Sequence, residues 1–159
     1  MTEEALVISE AAPAEMTLIM NDHVSLVSIT GFDGVHIGQH DMAPAEARTA
    51  AGKQRIVGIS THNEAQLRLA DQAPVDYIAI GPVFATASKQ NPDPVIGLDG
   101  VRLARRLTTK PLVAIGGITL TNAASVYEAG ADSIAVIAGI FAANEPPGEA
   151  AKKFLRILR

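Results

Sequence analysis

The chain has 159 residues, of which 48% are hydrophobic, and its formal net charge is −4. This length is sufficient for one domain with its own core, and the acidic balance gives no electrostatic reason to expect a nucleic-acid partner. The sequence contains no cysteine, which excludes disulfides, thiolate zinc sites and thiol nucleophiles. We therefore predict a single domain over residues 1–159.

Six short apolar runs, rich in β-branched residues, predict β-strands. They span residues 17–20, 34–37, 55–59, 76–80, 111–115 and 133–137. Every run is far shorter than the roughly 20 apolar residues of a membrane span. The first four residues, MTEE, are acidic and lack the basic start of a secretory signal. These features predict a cytoplasmic protein that does not associate with membranes.

Segments rich in Ala, Leu and Arg with helical spacing lie between most of the strands. They span residues 43–51, 63–72, 98–107, 121–129 and 147–158. Pro44 suits the first turn of the first helix, and Asn63 or Thr61 is a candidate N-cap for the second. Thr121 is the predicted N-cap of the fourth helix, and Gly130 is placed to end it.

Alternation of strands and helices predicts βαβ units around a parallel sheet. An open doubly wound sheet would carry a Gly-rich turn after its first strand, and no G-x-G-x-x-G occurs here. Polar residues instead follow nearly every strand, as at the carboxyl face of a TIM (β/α)8 barrel. Such barrels have eight strands in about 250 residues. With six strands, we predict an incomplete barrel with two open edges that something must cover, and a homo-oligomer, since edge strands can pair with those of another copy.

Two carboxylates follow neighbouring strands: Asp22, which comes directly after Asn21, and Asp41. Each alone is more simply explained as a helix N-cap or a turn residue. Paired at strand ends, they favour a site for Mg²⁺, which takes carboxylate and water oxygens together with a diphosphate. The sequence therefore predicts Asp22 and Asp41 as metal ligands.

The loop after the fourth strand combines two hydroxyls with a cation, in Thr86, Ser88 and Lys89. Hydroxyl donors and an ammonium suit a bound phosphate, although Lys89 alone could be an exposed loop residue. Gly116 and Gly117 follow the fifth strand, where they allow close approach of backbone amides to a ligand, or form a tight turn. Together with the backbone near 138–139, this glycine pair predicts a second phosphate site.

The histidines are assigned different roles. His62 could be a general base or a metal ligand. It could also be a polar residue at the junction of loop and helix, and this interpretation is favoured because His62 has no evident relay partner in the sequence. His36 lies within a predicted strand and is expected to be an interior, hydrogen-bonded residue. His23 and His40 flank the two carboxylates.

Five ordered motifs resemble the thiamine-phosphate synthase family. They are LIMND (18–22), GVHIGQHD (34–41), VGISTHN (57–63), GPVFATASK (81–89) and VAIGGI (113–118). The resemblance implies a TIM barrel and a transferase that joins hydroxymethylpyrimidine diphosphate to thiazole phosphate, releasing diphosphate and forming thiamine phosphate. It covers nearly all of the chain from about residue 17 onward.

The resemblance also implies roles for individual residues. Mg²⁺ would be held by Asp22 and Asp41, with Asn21 beside them. Ser60 and Lys89 are the implied catalytic residues, contacting the pyrimidine or the diphosphate. The thiazole phosphate would be received by the remaining implied binding residues, Thr86, Ser88, Gly117, Ile137 and Ala138.

The sequence departs from the family pattern in three places. Ser88 stands for the second threonine of Thr-x-Thr-Lys, His40 replaces the glutamate of Gln-Glu-Asp, and Ala138 replaces a serine. We find no counterpart of the first two β/α units, which carry a Gln-Leu-Arg-x-Lys motif in the family. Two alternatives therefore stay open: a thiazole tautomerase-like isomerase using His62, and a non-catalytic barrel that binds a phosphorylated ligand or a partner.

Overall fold

A computed structural model describes residues 1–86, 88, 93–141 and 145–157. Its six strands form one parallel sheet in the order β1-β2-β3-β4-β5-β6, so every strand pairs with its neighbours along the chain. The strands are β1 (Ile19–Asn21), β2 (Gly34–Ile37), β3 (Ile56–Thr61), β4 (Tyr77–Ile80), β5 (Leu112–Ile115) and β6 (Ser133–Ala135). The sheet is curled into a half-barrel whose carboxyl edge gathers the loops that follow the strands.

Helices separate the strands and cover the outer face of the sheet. They are α1 (Thr2–Ala11), α2 (Val24–Thr30), α3 (Pro44–Ala51), α4 (Glu64–Gln72), α5 (Gly97–Leu107), α6 (Ala123–Glu128), α7 (Ala138–Phe141) and α8 (Pro147–Ile157). Within the part of the chain described, no helix combines the length and the apolar character needed to cross a membrane.

The two faces of the sheet have different environments because side chains alternate along each strand. Val35, Ile37, Val57 and Ile78 point towards the helices and are fully buried. His36, Tyr77 and Val113 have the opposite phase and remain only half-buried. The outer face therefore supplies the core, and the concave face is left to line a cavity.

Most predicted elements are confirmed, with shifts of a few residues at their ends. Pro44 opens α3, and the Asn63 side chain caps α4 by accepting a hydrogen bond from the Gln66 amide. Gly130 follows the end of α6 with φ 108°. The prediction for Thr121 is wrong: α6 begins at Ala123 after Asn122, and the Thr121 hydroxyl bonds to Thr119 instead.

Helical spacing in the sequence did not predict α1, α2 or α7. The α2 sequence, VSLVSIT, consists largely of β-branched and hydroxyl residues, which have weak helix propensity. Burial of Val24 and Val27 against the sheet supplies the stabilisation that propensity does not. The α7 helix has only four residues, fewer than a periodic pattern requires.

Candidate active site

The concave face of the sheet and the loops at its carboxyl edge enclose a cavity of about 760 Å³. Its wall is largely apolar and includes Ala79, Val113 and Ile115 from the strands. Polar groups are few and come from different elements. Seven residues predicted to bind substrate line this one cavity: Asn21, Ser60, Thr86, Ser88, Gly117, Ile137 and Ala138. Lys89, the remaining predicted residue, lies outside the described residues.

The two predicted metal ligands lie together at the carboxyl ends of β1 and β2. The side chain of Asp41 is within hydrogen-bonding reach of the Asp22 carboxyl group. Asn21 donates to Asp22 Oδ2 over 2.7 Å, and the Gly38 amide donates to Asp41 Oδ2 over 2.7 Å. These two loops therefore hold two like-charged groups against each other beside the cavity.

This arrangement disfavours the charged state of Asp22. Partial burial raises the pKa of the Asp22 carboxyl group, and the neighbouring Asp41 raises it further. Asp22 also has φ 63°, in the left-handed region that a residue with a side chain seldom adopts. Repulsion and backbone strain at one residue are typical of a functional site.

The oxygen atoms of Asp22, Asp41 and Asn21 suit a cation that binds oxygen ligands. Mg²⁺ is usually held by one or two carboxylates together with waters and substrate phosphates, so two carboxylates beside an amide side chain are sufficient. No cluster of three or more His, Asp or Glu side chains that could bind a metal occurs among the described residues. A cation here would therefore depend on ligands from water or substrate.

The loop after β5 brings backbone close to the loop after β4. Gly116 and Gly117 have φ 88° and 66°. A Cβ atom on Gly117 would lie 2.5 Å from the Ala85 carbonyl oxygen, so only glycine fits there without displacing that loop. Asn122 fixes the turn by donating to the Gly117 carbonyl over 3.1 Å. Thr86 lies on the opposite loop, where its hydroxyl accepts a hydrogen bond from the Ser88 amide at 3.2 Å.

His36 is an interior, hydrogen-bonded residue, as predicted. Its Nδ1 lies 2.8 Å from the Tyr77 hydroxyl and its Nε2 lies 2.8 Å from Ser60 Oγ. Burial lowers the pKa of His36 and raises the pKa of Tyr77 to about 12, so desolvation favours the neutral form of each ring. All three side chains line the cavity.

His62 also faces the cavity, and its surroundings differ from those predicted. Nδ1 lies 2.6 Å from the Gly81 carbonyl oxygen, and Nε2 lies 3.4 Å from Asp93 Oδ2. The sequence shows no relay partner near His62, whereas in the structure the loop before α5 brings the Asp93 carboxylate to it. The N-cap of the adjacent helix is Asn63.

Sequence reasoning missed Tyr77 and Asp93 as cavity residues. Asp93 is distant from His62 in sequence, and no local pattern connects them. Tyr77 carried a usable signal: Gly58 occupies a strand interior, where glycine often marks the close approach of another group. A Cβ atom at Gly58 would lie 2.0 Å from Tyr77 Cζ.

Comparisons with known proteins agree with this geometry. The family described as thiamine monophosphate synthase matches residues 1–140. Thiamine-phosphate synthase of Koribacter versatilis is 55% identical over 95% of this chain and 70% of its own length. The enzyme of the same name from Chloroflexus aurantiacus is 43% identical over 91% of this chain and 67% of its own.

A solved structure gives the same result. Thiamine phosphate pyrophosphorylase from Pyrococcus furiosus superposes with a TM-score of 0.84 at 29% identity, covering all of this chain and 80% of its own. The resemblance and the enzyme class predicted from the five motifs are thereby confirmed. Because the family matches most of this chain, the chain belongs to the thiamine monophosphate synthase family.

Proposed function

We propose that this chain joins hydroxymethylpyrimidine diphosphate to thiazole phosphate, forming thiamine phosphate and releasing diphosphate. One observation carries the proposal: a single cavity of about 760 Å³ gathers seven residues implied by the family resemblance, with a facing carboxylate pair at its edge. The volume suits two small heterocycles held side by side.

The carboxylate pair is the proposed Mg²⁺ site. Asp22 and Asp41 would hold the ion, and Asn21 orients Asp22 through its amide. When bound, the ion would neutralise the negative charge of the diphosphate as it departs. The raised pKa of Asp22 supports this assignment, because a cation between the two carboxylates would relieve their repulsion.

The remaining chemistry requires positioning more than side-chain nucleophiles, because the nitrogen of the thiazole forms the new bond. Val113 and Ile115 supply apolar contacts that exclude water from the reacting pyrimidine methylene. Ser60 offers a hydroxyl to the pyrimidine from β3. Holding both rings at van der Waals distance converts a bimolecular encounter into an oriented one.

The opposite end of the cavity is the proposed thiazole phosphate site. The backbone at Gly117 approaches the loop of Thr86 and Ser88, and Ile137 and Ala138 complete the same wall. Hydroxyls and backbone amides bind phosphate without a cation of their own. Lys89 is retained as a proposed catalytic cation from its sequence context alone.

We also propose that the curled sheet is a single, incomplete (β/α)8-type barrel domain with six of the eight strands, in a cytoplasmic homo-oligomer. Within the described residues β1 and β6 are the edge strands of the sheet. Unpaired edges favour pairing with another strand, so we expect light scattering to report a dimer or a larger species. A monomer would contradict this part of the proposal.

A second candidate is an isomerase that acts on a phosphorylated thiazole, and one contact favours it. His62 faces the cavity with Asp93 at 3.4 Å, an arrangement that can move a proton. Such a reaction needs no metal, so the two functions respond differently to chelation.

The test is formation of thiamine phosphate from both substrates, with and without Mg²⁺. We expect product to form only with Mg²⁺. We expect Asp41→Asn to reduce the rate of thiamine phosphate formation about 100-fold or more, since neutralisation of a leaving group by a metal contributes several kcal/mol. Asp99→Asn is the matched control, because its exposed carboxylate pairs only with Arg102 among the described residues. Isomerisation that survives chelation and Asp41→Asn would support the second candidate, and binding without turnover would support a non-catalytic protein.

A further inference from the structure

A row of directly paired residues crosses four strands on the concave face. Asn21 pairs with His36, His36 with Gly58, and Gly58 with Tyr77. Because Gly58 has no side chain, the Tyr77 ring lies across it and reaches from β4 to β2. The Tyr77 and His36 rings stack with their centroids 5.4 Å apart and their planes inclined by 26°.

The stacked pair continues into a hydrogen-bonded chain. The Tyr77 hydroxyl bonds to His36 Nδ1, and His36 Nε2 bonds to Ser60 Oγ, both at 2.8 Å. Both partners of the imidazole are hydroxyls, which can donate or accept. A neutral imidazole has one N–H and one lone pair, so only two arrangements satisfy both bonds.

In the first arrangement, Tyr77 donates to Nδ1 and Nε2–H donates to Ser60 Oγ. The Ser60 proton is then free to point into the cavity. In the second, Ser60 donates to Nε2 and Nδ1–H donates to the Tyr77 oxygen. The Tyr77 proton then requires another acceptor, and none is within hydrogen-bonding distance among the described residues. In the first arrangement the Ser60 proton likewise has no acceptor among the described residues, so the strength of the donors decides. The phenol of Tyr77 is a stronger donor and a weaker acceptor than the aliphatic hydroxyl of Ser60, so the first arrangement is preferred.

We propose that Tyr77 and His36 are positioning residues that hold His36 in its Nε2–H tautomer and so make Ser60 a hydrogen-bond donor towards the substrate. The ligand group that this donor recognises is an acceptor, such as a ring nitrogen of an aminopyrimidine. Gly58 belongs to the same device, because any side chain there would block the path of Tyr77. The identity of the substrate rests on the proposed function, whereas the tautomer does not.

The tautomer is tested first, in the unliganded chain. Long-range proton–nitrogen NMR correlations distinguish Nε2–H from Nδ1–H imidazole, and loss of one of the four histidine patterns in His36→Gln assigns the signal. We expect an Nε2–H pattern for His36 that is lost or mixed in Tyr77→Phe, which keeps the ring and removes the hydroxyl. An Nδ1–H pattern in the unaltered chain would overturn the proposal whether or not the enzyme is active.

A double-mutant cycle tests the connection to Ser60. We expect Tyr77→Phe to raise the KM or Kd for the pyrimidine diphosphate about 10-fold, as expected for one lost hydrogen bond, while that for the thiazole phosphate is unchanged. In Ser60→Ala, adding Tyr77→Phe should have little further effect, because both changes remove the same donor. Additive losses would mean that Tyr77 acts independently of Ser60 and would contradict the proposal.

Tyr127→Phe is the matched control, since the chain has only two tyrosines. Its buried hydroxyl has no hydrogen-bond partner among the described residues, and it lies in α6 away from the cavity. We expect this variant to bind both substrates as the unaltered chain does. If the unaltered chain binds neither substrate, the proposed function fails, while the NMR result still decides the tautomer.

Discussion

Charged residues have opposite roles at the two ends of the strands, which we call the amino edge and the carboxyl edge of the sheet. At the amino edge, Asp33, Asp76 and Asp132 each come directly before a strand. Each carboxylate accepts a hydrogen bond from a backbone amide at the start of the neighbouring strand, over 2.7 to 2.8 Å; the donors are Leu18, Val57 and Leu112. In return, the backbone amide of each aspartate donates a hydrogen bond to the carbonyl oxygen of the residue whose amide its side chain accepts. The carboxylates thus fasten the strand pairs β1–β2, β3–β4 and β5–β6.

At the carboxyl edge, the carboxylates do not join neighbouring strands: Asp22 and Asp41 accept hydrogen bonds from Asn21 and Gly38, which are close to them in the chain. Asp22 faces another carboxylate and has a left-handed backbone conformation. Hydroxyls such as Ser60 and Thr86 face the cavity. The difference indicates that charges at the amino edge stabilise the fold, whereas those at the carboxyl edge are held for a ligand. Variants at the two edges should therefore separate stability from activity.

The largest expected effect is a loss of activity without a loss of stability, in Asp22→Asn. Asparagine tolerates the left-handed conformation and removes the like charge facing Asp41. We expect thiamine phosphate formation to fall about 100-fold or more, while the melting temperature without Mg²⁺ stays the same or rises. Differential scanning calorimetry with and without Mg²⁺ measures the second quantity. A clear drop in melting temperature would show that Asp22 is a structural residue.

The next effect concerns the close approach of two loops at the carboxyl edge, and two glycines form a matched pair. Gly117 and Gly97 have similar backbone conformations, with φ 66° and 63°. A Cβ atom at Gly117 would lie 2.5 Å from the Ala85 carbonyl oxygen, whereas a Cβ atom at Gly97 would have no described atom within 4 Å. Alanine at either site incurs about 1–2 kcal/mol from the left-handed conformation. Gly117→Ala should lose a further 1–3 kcal/mol or so through steric overlap.

Urea denaturation of both variants measures this difference, and calorimetric titration measures substrate binding. We expect Gly117→Ala to weaken binding of the thiazole phosphate selectively, since the displaced loop carries Thr86. Equal weakening for both substrates would indicate general misfolding. If the two alanine variants unfold alike, the close contact with Ala85 contributes nothing to stability.

How much of the molecule the sequence predicts depends on the range of the interactions involved. Strand runs and the cap at Asn63 are local patterns, and the structure confirms them. Five residues of the ordered motifs line the same cavity, as do Ile137 and Ala138 after the last strand, because strands of a parallel sheet end at one edge. Helix α2 was missed because its stability comes from packing, which propensity does not report.

Contacts that depend on strand register could not be predicted. Tyr77 reaches His36 only because Gly58 lies between them in the paired register, and no window of sequence contains all three. The aspartates of the amino edge offered a weaker signal that passed unnoticed. Each lies between a buried apolar residue and a strand, in the sequences FDGV, VDYI and ADSI.

The smallest expected effect is a loss of stability without a loss of activity, in Asp132→Ala at the amino edge. Asp132 accepts hydrogen bonds from the Leu112 amide at 2.8 Å and from Arg105 at 2.7 Å. Removing the carboxylate leaves the amide of the buried Leu112 without this acceptor and removes one partner of Arg105, so we expect the free energy of unfolding to fall by about 1–2 kcal/mol. The KM values should not change, because the cavity lies at the other end of the strands.

Asp99→Ala is the control, since its exposed ion pair with Arg102 lies within one helix and such pairs contribute at most about 0.5 kcal/mol. If Asp132→Ala instead reduces activity and leaves unfolding unchanged, the amino edge shares in catalysis and the division between the two edges does not hold.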